Sequence, residues 1–436
     1  MFPTLVLLLC LVFLLFASFY IFGKKFSSPS FAFAFAFVIA IINGLTNFQK
    51  WDFILSEKTI YTIGGGCFLV FVCCAFVHKS AILNHKNLWV SYLPTVTFSN
   101  KANILFFLLQ LVSLILSLKS ILDVGVKYHA DGSLSGAIST YRTASLYFED
   151  FTGVSSLTSN INLACTAISY FYIYAASISY IRHERQNILV YINSILAIIS
   201  PLVYGGRGSS ILLICLVIFV FLQEYECISK RSGRFAVGPI IILLICFIIL
   251  LIGFQLTLSL MGRSAGKFSL YYYLSIYIGA PIKNLDLFLT HDFSGPTFEG
   301  VETFGSLYTR IANLFGEQTE MFFTTFSSYD GYDLGNVYTT FRAYIHDYGF
   351  IGMIFLLIAL SIISQYIYEK TSCESNYRLI YIFLYSIIFY SLATSFFSNQ
   401  FYKTFISITI LKYIIIWIFC IYISKTRKFS FVKIGD

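Results

Sequence analysis

Long apolar runs separated by short polar segments repeat along almost the whole chain. A bilayer-crossing helix needs about 20 apolar residues. Runs of that order fall near residues 2–22, 31–47, 59–77, 103–121, 161–181, 187–204, 209–223, 235–260, 348–368, 379–397 and 404–423. Eleven spans are predicted, of which 209–223 is the shortest and short enough to be re-entrant instead. Two polar stretches, 122–160 and 261–343, are too long to be simple turns. Long loops in a compact protein are functional or disordered. The second holds Tyr271, Tyr272, Tyr273, Phe293, Phe304 and Phe326 with few prolines, which argues against disorder. Within it, Tyr271–Leu289 is apolar enough to lie along the membrane interface or to dip into the bilayer, and Glu302–Phe326 has the spacing of a second surface helix.

Composition makes lipid the main solvent. Of 436 residues, 58% are hydrophobic and 11% charged, against about 25% charged in a soluble domain. The expected fold is an all-α polytopic membrane protein forming a single transmembrane domain over 1–436. Lys24 and Lys25 follow the first run instead of preceding it, so it reads as a span and not as a cleaved signal. The ten cysteines sit mostly inside apolar runs without CxxC spacing, so they read as small apolar residues.

Charge sets the orientation. With the N-terminus outside and eleven crossings, the cytoplasmic segments carry 16 cations and 6 acids, leaving 13 cations and 15 acids for the external segments and the spans together. Cytoplasmic loops are expected to be the cationic ones, so the chain reads N-out and C-in, with 122–160 and 261–343 as external loops.

Inside the spans Lys412 is the main ionisable residue, beside the polar Gln110 and Gln255. Ion-coupled transporters rely on carboxylates or histidines at mid-membrane depth, so a transporter is disfavoured. No Walker loop, HExxH, DxD or paired Cys/His motif is present. No cofactor, no metal and no nucleic-acid partner is expected. Chemistry at the outer bilayer surface remains, on a substrate whose tail stays in lipid.

Three segments carry candidate chemistry. Gly205-Gly206-Arg207-Gly208-Ser209-Ser210 joins the sixth and seventh spans. If Ser209 or Ser210 caps the seventh span, its free N–H groups and Arg207 form an anion site. The competing reading is a tight hairpin with Arg207 reaching lipid headgroups. Arg263 follows the eighth span, where a cation is favoured near a helix C-terminus whatever its function. Residues 335–352 lead into the ninth span and hold Asn336, Tyr338, Arg342, Tyr344, His346 and Asp347. Arg342, His346 and Asp347 are the catalytic candidates there. His346 also suits a hydrated surface, and Asp347 a helix start or a pairing with Arg342. Arg310, Glu317, Glu320, Asp330 and Asp333 read equally well as a solvated face.

In this layout the chain resembles the Wzy-type O-antigen and oligosaccharide repeat-unit polymerases. The resemblance rests on the eleven-span plan, the Arg207–Ser210 turn, the late external loop, and Asn336-Val337-Tyr338-Thr339-Thr340-Phe341-Arg342 followed by Asp347-Tyr348-Gly349-Phe350-Ile351-Gly352. It implies a GT-C-like fold in the bacterial inner membrane with the active site facing the periplasm. It also implies a metal-independent transfer of a growing glycan from undecaprenyl diphosphate to the non-reducing end of a new lipid-linked repeat unit. A chain-length regulator of the Wzz type and a flippase are the implied partners. The family's external arginines map to Arg207, Arg263, Arg310 and Arg342, with Ser209, Ser210, Asn336 and Tyr338 as further binding candidates. The related O-antigen ligases carry a His-Asn pair where this chain has Tyr338 and Thr339, so the general base is left to Asp347 or His346, with Asp330 and Asp333 behind them. The alternative functions are an O-antigen ligase and a lipid-linked oligosaccharide flippase.

Overall fold

The computed structural model describes residues 1–84, 93–147, 151, 153–205, 208–232, 269–315, 324–373 and 375–427. The chain is mostly helical. In order come α1 (Phe2–Ile21), α2 (Pro29–Thr46), α3 (Phe48–Trp51), α4 (Glu57–Asn84), β1 (Thr95–Thr97), α5 (Asn100–Lys127), α6 (Leu134–Tyr147), α7 (Ser156–Ile181), α8 (Ile188–Ile199) and α9 (Gly208–Ser232). There follow α10 (Leu270–Ile278), α11 (Ala280–Leu287), α12 (Gly305–Leu314), a hairpin of β2 (Ser327–Tyr329) and β3 (Tyr332–Gly335), α13 (Thr340–Ser372), α14 (Arg378–Ala393), α15 (Ile408–Ile423) and β4 (Lys425–Arg427).

Among the described residues, α1, α2, α4, α5, α7, α9 and α13 are long and apolar enough to cross a bilayer. The helices α8 (with its 3-10 extension to Tyr204), α14 and α15 are shorter and apolar. The protein is thus an all-α polytopic membrane protein. The predicted span at 235–260 and the start of the second loop, 261–268, lie outside the described residues.

The chain divides into two compact units, residues 1–89 with 268–410 and residues 90–267 with 411–436. In the first, α2 is the inner helix: Phe33 and Phe37 are fully buried and meet the Phe341 ring of α13 at 6.1 and 5.1 Å. Gly66 on α4 makes room for that ring, since a Cβ there would fall 2.4 Å from it. The outward faces are apolar, as Phe13, Tyr61, Phe68, Phe76, Ile351 and Phe355 show, which suits lipid and not water.

In the first unit α4 and α13 run further than the apolar runs predicted, and their far ends carry buried charge. His78 Nδ1 lies 2.6 Å from Glu369 Oε1, which also accepts a hydrogen bond from Gln365. Their position is the far boundary of the unit. Glu369 follows Gly349 by about 30 Å of helix, at 1.5 Å per residue. The near-absence of ionisable residues therefore holds for the middle of this unit and fails at its end.

The loop predicted over 261–343 is more deeply folded than expected. Tyr271–Leu289 forms α10 and α11, and Ala280 through Asp286 are buried. The expected surface helix over Glu302–Phe326 shrinks to α12, ending at Leu314, with 316–323 outside the described residues. The β2–β3 hairpin was not anticipated, and α13 begins at Thr340, inside the stretch assigned to the loop. The other external stretch, 122–160, is likewise partly helical: α5 runs to Lys127 and α6 follows.

In the second unit, α5 turns Asn103, Gln110, Ser113 and Ser117 inward while Leu105, Leu108, Val112 and Ile115 point outward. Asn193 on α8 ties this seam, donating to the Asn103 carbonyl and accepting at its own carbonyl from Gln110, each at 3.1 Å. Tyr172 stacks between Phe98 and Phe106 at 4.7 and 4.6 Å. Trp417 on α15 is fully buried and donates its indole N–H to the Ala167 carbonyl at 2.9 Å. Arg182 pairs at 2.7 Å with the wholly buried Glu224.

Candidate functional site

A buried cluster of charges forms at the head of α13, within the first unit. Its geometry depends on one break in the helix. Gly349 adopts φ 68 and ψ −173, a backbone region that is essentially glycine-only. The break releases main-chain carbonyls from the helical ladder, and a strap from the preceding loop takes them up. Thr297 N donates to the His346 carbonyl at 2.9 Å and Phe298 N to the Asp347 carbonyl at 2.8 Å. The strap carries Glu302 over the first two turns of α13.

There Glu302 Oε2 meets Arg342 Nη1 at 2.6 Å. Glu302 Oε1 lies 3.2 Å from His346 Nδ1 and, among the described residues, accepts no hydrogen bond. His346 Nδ1 is in turn 3.3 Å from Asp347 Oδ1. Asp347 is fully buried, and its Oδ2 accepts from Thr303 N at 2.7 Å. Asn399 Nδ2 donates to the Thr303 carbonyl at 2.9 Å, fixing the strap from its other side. The guanidinium of Arg342 lies over the rings of Tyr338 and Phe288, at 4.3 and 5.1 Å to their centroids. Cation–π contacts of this kind orient a guanidinium without consuming its N–H donors.

Lys403, in the short π-helical segment Phe401–Phe405, completes the group. Its carbonyl accepts from Ser306 Oγ at 2.9 Å, and its charge acts on both Glu302 and Asp347. Among the described residues its ammonium makes no ion pair or hydrogen bond. Burial pushes the Glu302 carboxyl above its ordinary value, while Arg342 and His346 pull it back. The cluster thus offers two cations, two carboxylates and an imidazole on one concentrated patch, a set suited to moving a proton beside a developing negative charge.

A second polar network lies under the hairpin. Asp286 Oδ1 accepts from Ser56 N at 2.8 Å and Thr59 Oγ1 at 2.7 Å. Lys283 donates to the Asp52 carbonyl at 2.9 Å and lies 4.5 Å from the Tyr329 ring centroid. Burial lowers its ammonium pKa against the pull of Asp286 and Asp52. Asn284 Nδ2 donates to the carbonyls of Leu334 and Val337 at 3.1 and 2.8 Å. These groups hold the loop to the helices and are already satisfied by one another.

The predicted site residues divide clearly. Arg342, His346 and Asp347 come together, and Tyr338 lies buried against Arg342. Asn336 contributes only its carbonyl, which accepts from Thr324 Oγ1. Arg310 is exposed on α12. Arg207 and Arg263 lie outside the described residues. Ser209 and Ser210 do not cap a helix: α9 begins at Gly208, so both are inside it. The Ser210 hydroxyl is buried and donates to the Ile198 carbonyl at 2.7 Å. The Gly205 carbonyl is instead met by Arg142 Nη1 at 2.7 Å. Asp330 and Asp333 sit exposed on the hairpin.

Glu302, Lys403 and Asn399 escaped sequence analysis. Glu302 sat in a stretch read as a surface helix, and nothing in its local spacing linked it to Arg342, forty residues on. Lys403 and Asn399 fell at the edges of predicted spans. The one available signal was the strap itself, where Gly295, Pro296 and Gly300 interrupt an otherwise aromatic loop. Comparison of the chain with family models, with curated proteins and with solved structures finds no match.

Proposed function

We propose that this chain is a metal-independent glycosyltransferase that polymerises lipid-linked oligosaccharide repeat units, in the manner of the Wzy-type polymerases it resembles. The observation that carries this reading is the buried Glu302–Arg342–His346–Asp347 cluster, with Lys403 beside it, at one end of a lipid-facing helical unit. At that end an undecaprenyl tail can stay in the bilayer while its diphosphate meets cations. The opposite end of the same unit carries Lys24, Lys25, Lys79, Lys370 and Arg378, which supports placing it in the cytoplasm. The cluster then faces the periplasm across a bacterial inner membrane.

The chemistry follows from the charges. An acceptor hydroxyl at the non-reducing end of one repeat unit attacks the anomeric carbon of the glycan on another carrier. The bond from that carbon to the diphosphate oxygen breaks, and the diphosphate departs with the electron pair. Arg342 and Lys403 stabilise the charge that develops on it, while a neighbouring carboxylate takes the hydroxyl proton. Tyr338 and the aromatic loop offer rings for sugar faces. A Wzz-type chain-length regulator and a flippase are the partners this reaction would need.

The test is turnover in vitro. Purified protein in bilayer discs, given undecaprenyl-diphosphate-linked repeat units, should produce a ladder of polymer, and Arg342→Ala should abolish it. A ladder from Arg342→Ala equal to wild type would sink the site assignment. Glycan profiling of a deletion strain separates polymerase from ligase: loss of the polymerase leaves one repeat unit on the lipid core, loss of the ligase leaves none.

A further inference from the structure

We infer that Glu302 is the acceptor-activating base, and that the leaving diphosphate arms it by taking Arg342 away from it. The inference rests on the polymerase reading for its chemistry and on the loop strap for its geometry.

Glu302 is almost wholly buried, and its two oxygens are used unequally. Oε2 is committed to Arg342 at 2.6 Å. Oε1 accepts no hydrogen bond among the described residues and faces His346 Nδ1 at 3.2 Å. Asp347, the other carboxylate of the group, is a poorer base. It is fully buried, with one oxygen accepting the Thr303 amide and the other facing His346. His346 lies between the two carboxylates and is 24% exposed, which places it to pass a proton outward. The charged groups that face Glu302 are Arg342, His346 and Asp347 on α13 and Lys403 on the segment before α15.

Arg342 cannot serve two masters at full strength. A guanidinium forms its best contacts as a planar fork on one anion. A diphosphate brings more negative charge than a carboxylate and competes for the same N–H groups. When the diphosphate engages Arg342, Glu302 loses the partner that holds its proton affinity down, and the burial that raises it is left less opposed. The base is thus strengthened when the donor is seated and kept weak when the site is empty. In the step itself, the acceptor O–H proton passes to a Glu302 oxygen. The hydroxyl oxygen bonds to the anomeric carbon, and the carbon–oxygen bond to diphosphate breaks. Arg342 and Lys403 hold the departing anion, and His346 carries the proton from Glu302 to solvent.

The arrangement makes opposed predictions for binding and turnover. Full-length protein in bilayer discs is titrated with bare undecaprenyl diphosphate, and transfer is measured with lipid-linked repeat units. Glu302→Gln keeps the side chain's shape and removes its charge. It should bind undecaprenyl diphosphate severalfold tighter than wild type, because Arg342 is no longer shared. Its transfer rate should fall by about 10²–10⁴-fold, the usual worth of a general base. Glu302→Asp, which keeps the charge at shorter reach, should bind the carrier as wild type does and retain part of the rate. Weaker carrier binding by Glu302→Gln would overturn the exchange of partners. A wild-type transfer rate in Glu302→Gln would overturn the base. If wild-type protein transfers no glycan at all, the polymerase reading fails instead, and the carrier titration still decides whether Arg342 is shared. A merely structural Glu302 would lower binding and rate together in both variants.

Discussion

Glu302 and Arg342 are forty positions apart in sequence and 2.6 Å apart in space, with side chains 4% and 10% exposed. Few polar contacts in the first unit are as well hidden from water. A buried pair adds little net stability over an apolar one, yet breaking it strands a charge. Arg342→Ala should therefore destabilise the protein by about 3–5 kcal/mol. The double variant Arg342→Ala with Glu302→Gln should recover a good part of that, because the orphaned charge is gone. Thermal unfolding in detergent, followed across the four members of the cycle, measures the coupling. Additive losses would show that the pair is not held as described.

The break at Gly349 should be as sensitive as the pair it positions. A Cβ at 349 meets only Pro296, at 3.6 Å, so space is not the obstacle. The backbone is: φ 68 with ψ −173 costs a non-glycine residue about 1–3 kcal/mol. Gly349→Ala should lower stability by that amount. It should lower transfer by more than stability alone explains, because straightening α13 withdraws the carbonyls that hold the strap at Thr297 and Phe298. Full activity in a destabilised Gly349→Ala protein would separate the strap from the chemistry.

How far the sequence could be read depends on what sets each feature. Every described apolar run is helical, because lipid enforces internal backbone hydrogen bonding and the hydropathy pattern reports that demand directly. The head of α13 was equally legible: Arg342, His346 and Asp347 lie within six residues, so one helix turn and its break bring them together. Glu302 and Lys403 were not, since their places depend on a strap and a π-helical turn that no local period encodes. Residues 271–289 were legible as apolar helix but not in their packing, because the partners of Asn284 and Asp286 lie some fifty residues downstream and some 230 residues upstream. At 205–210 the glycines and serines suit an anion turn or a tight hairpin; α9 starts at Gly208 and draws Ser210 into packing, while Gly206 and Arg207 lie outside the described residues.

Arg310 sits exposed on α12, although the family resemblance marked it as a binding residue. Arg310→Ala should leave transfer within about twofold of wild type and stability within about 0.5 kcal/mol, as for most surface substitutions. Ser210→Ala should cost about 1 kcal/mol, one buried hydrogen bond, without changing carrier binding. A large loss of carrier affinity in either variant would relocate the diphosphate site.

The last prediction concerns pH and follows from the environment of Glu302. Burial raises its carboxyl above the ordinary value of 4.5 more than Arg342 and His346 lower it. The folded protein therefore binds a proton at this residue at pH values where the unfolded chain has released it. Stability from this group is fully present below pH 4.5 and is lost as pH rises through the elevated folded value. Thermal stability of wild type should show that downward component with rising pH, and Glu302→Gln, which cannot titrate, should lack it. The difference between the two curves isolates the residue from the other carboxylates. If saturating undecaprenyl diphosphate holds Arg342, the component should extend to higher pH in the loaded protein than in the free one. A difference curve indifferent to the carrier would mean that Arg342 stays with Glu302 throughout.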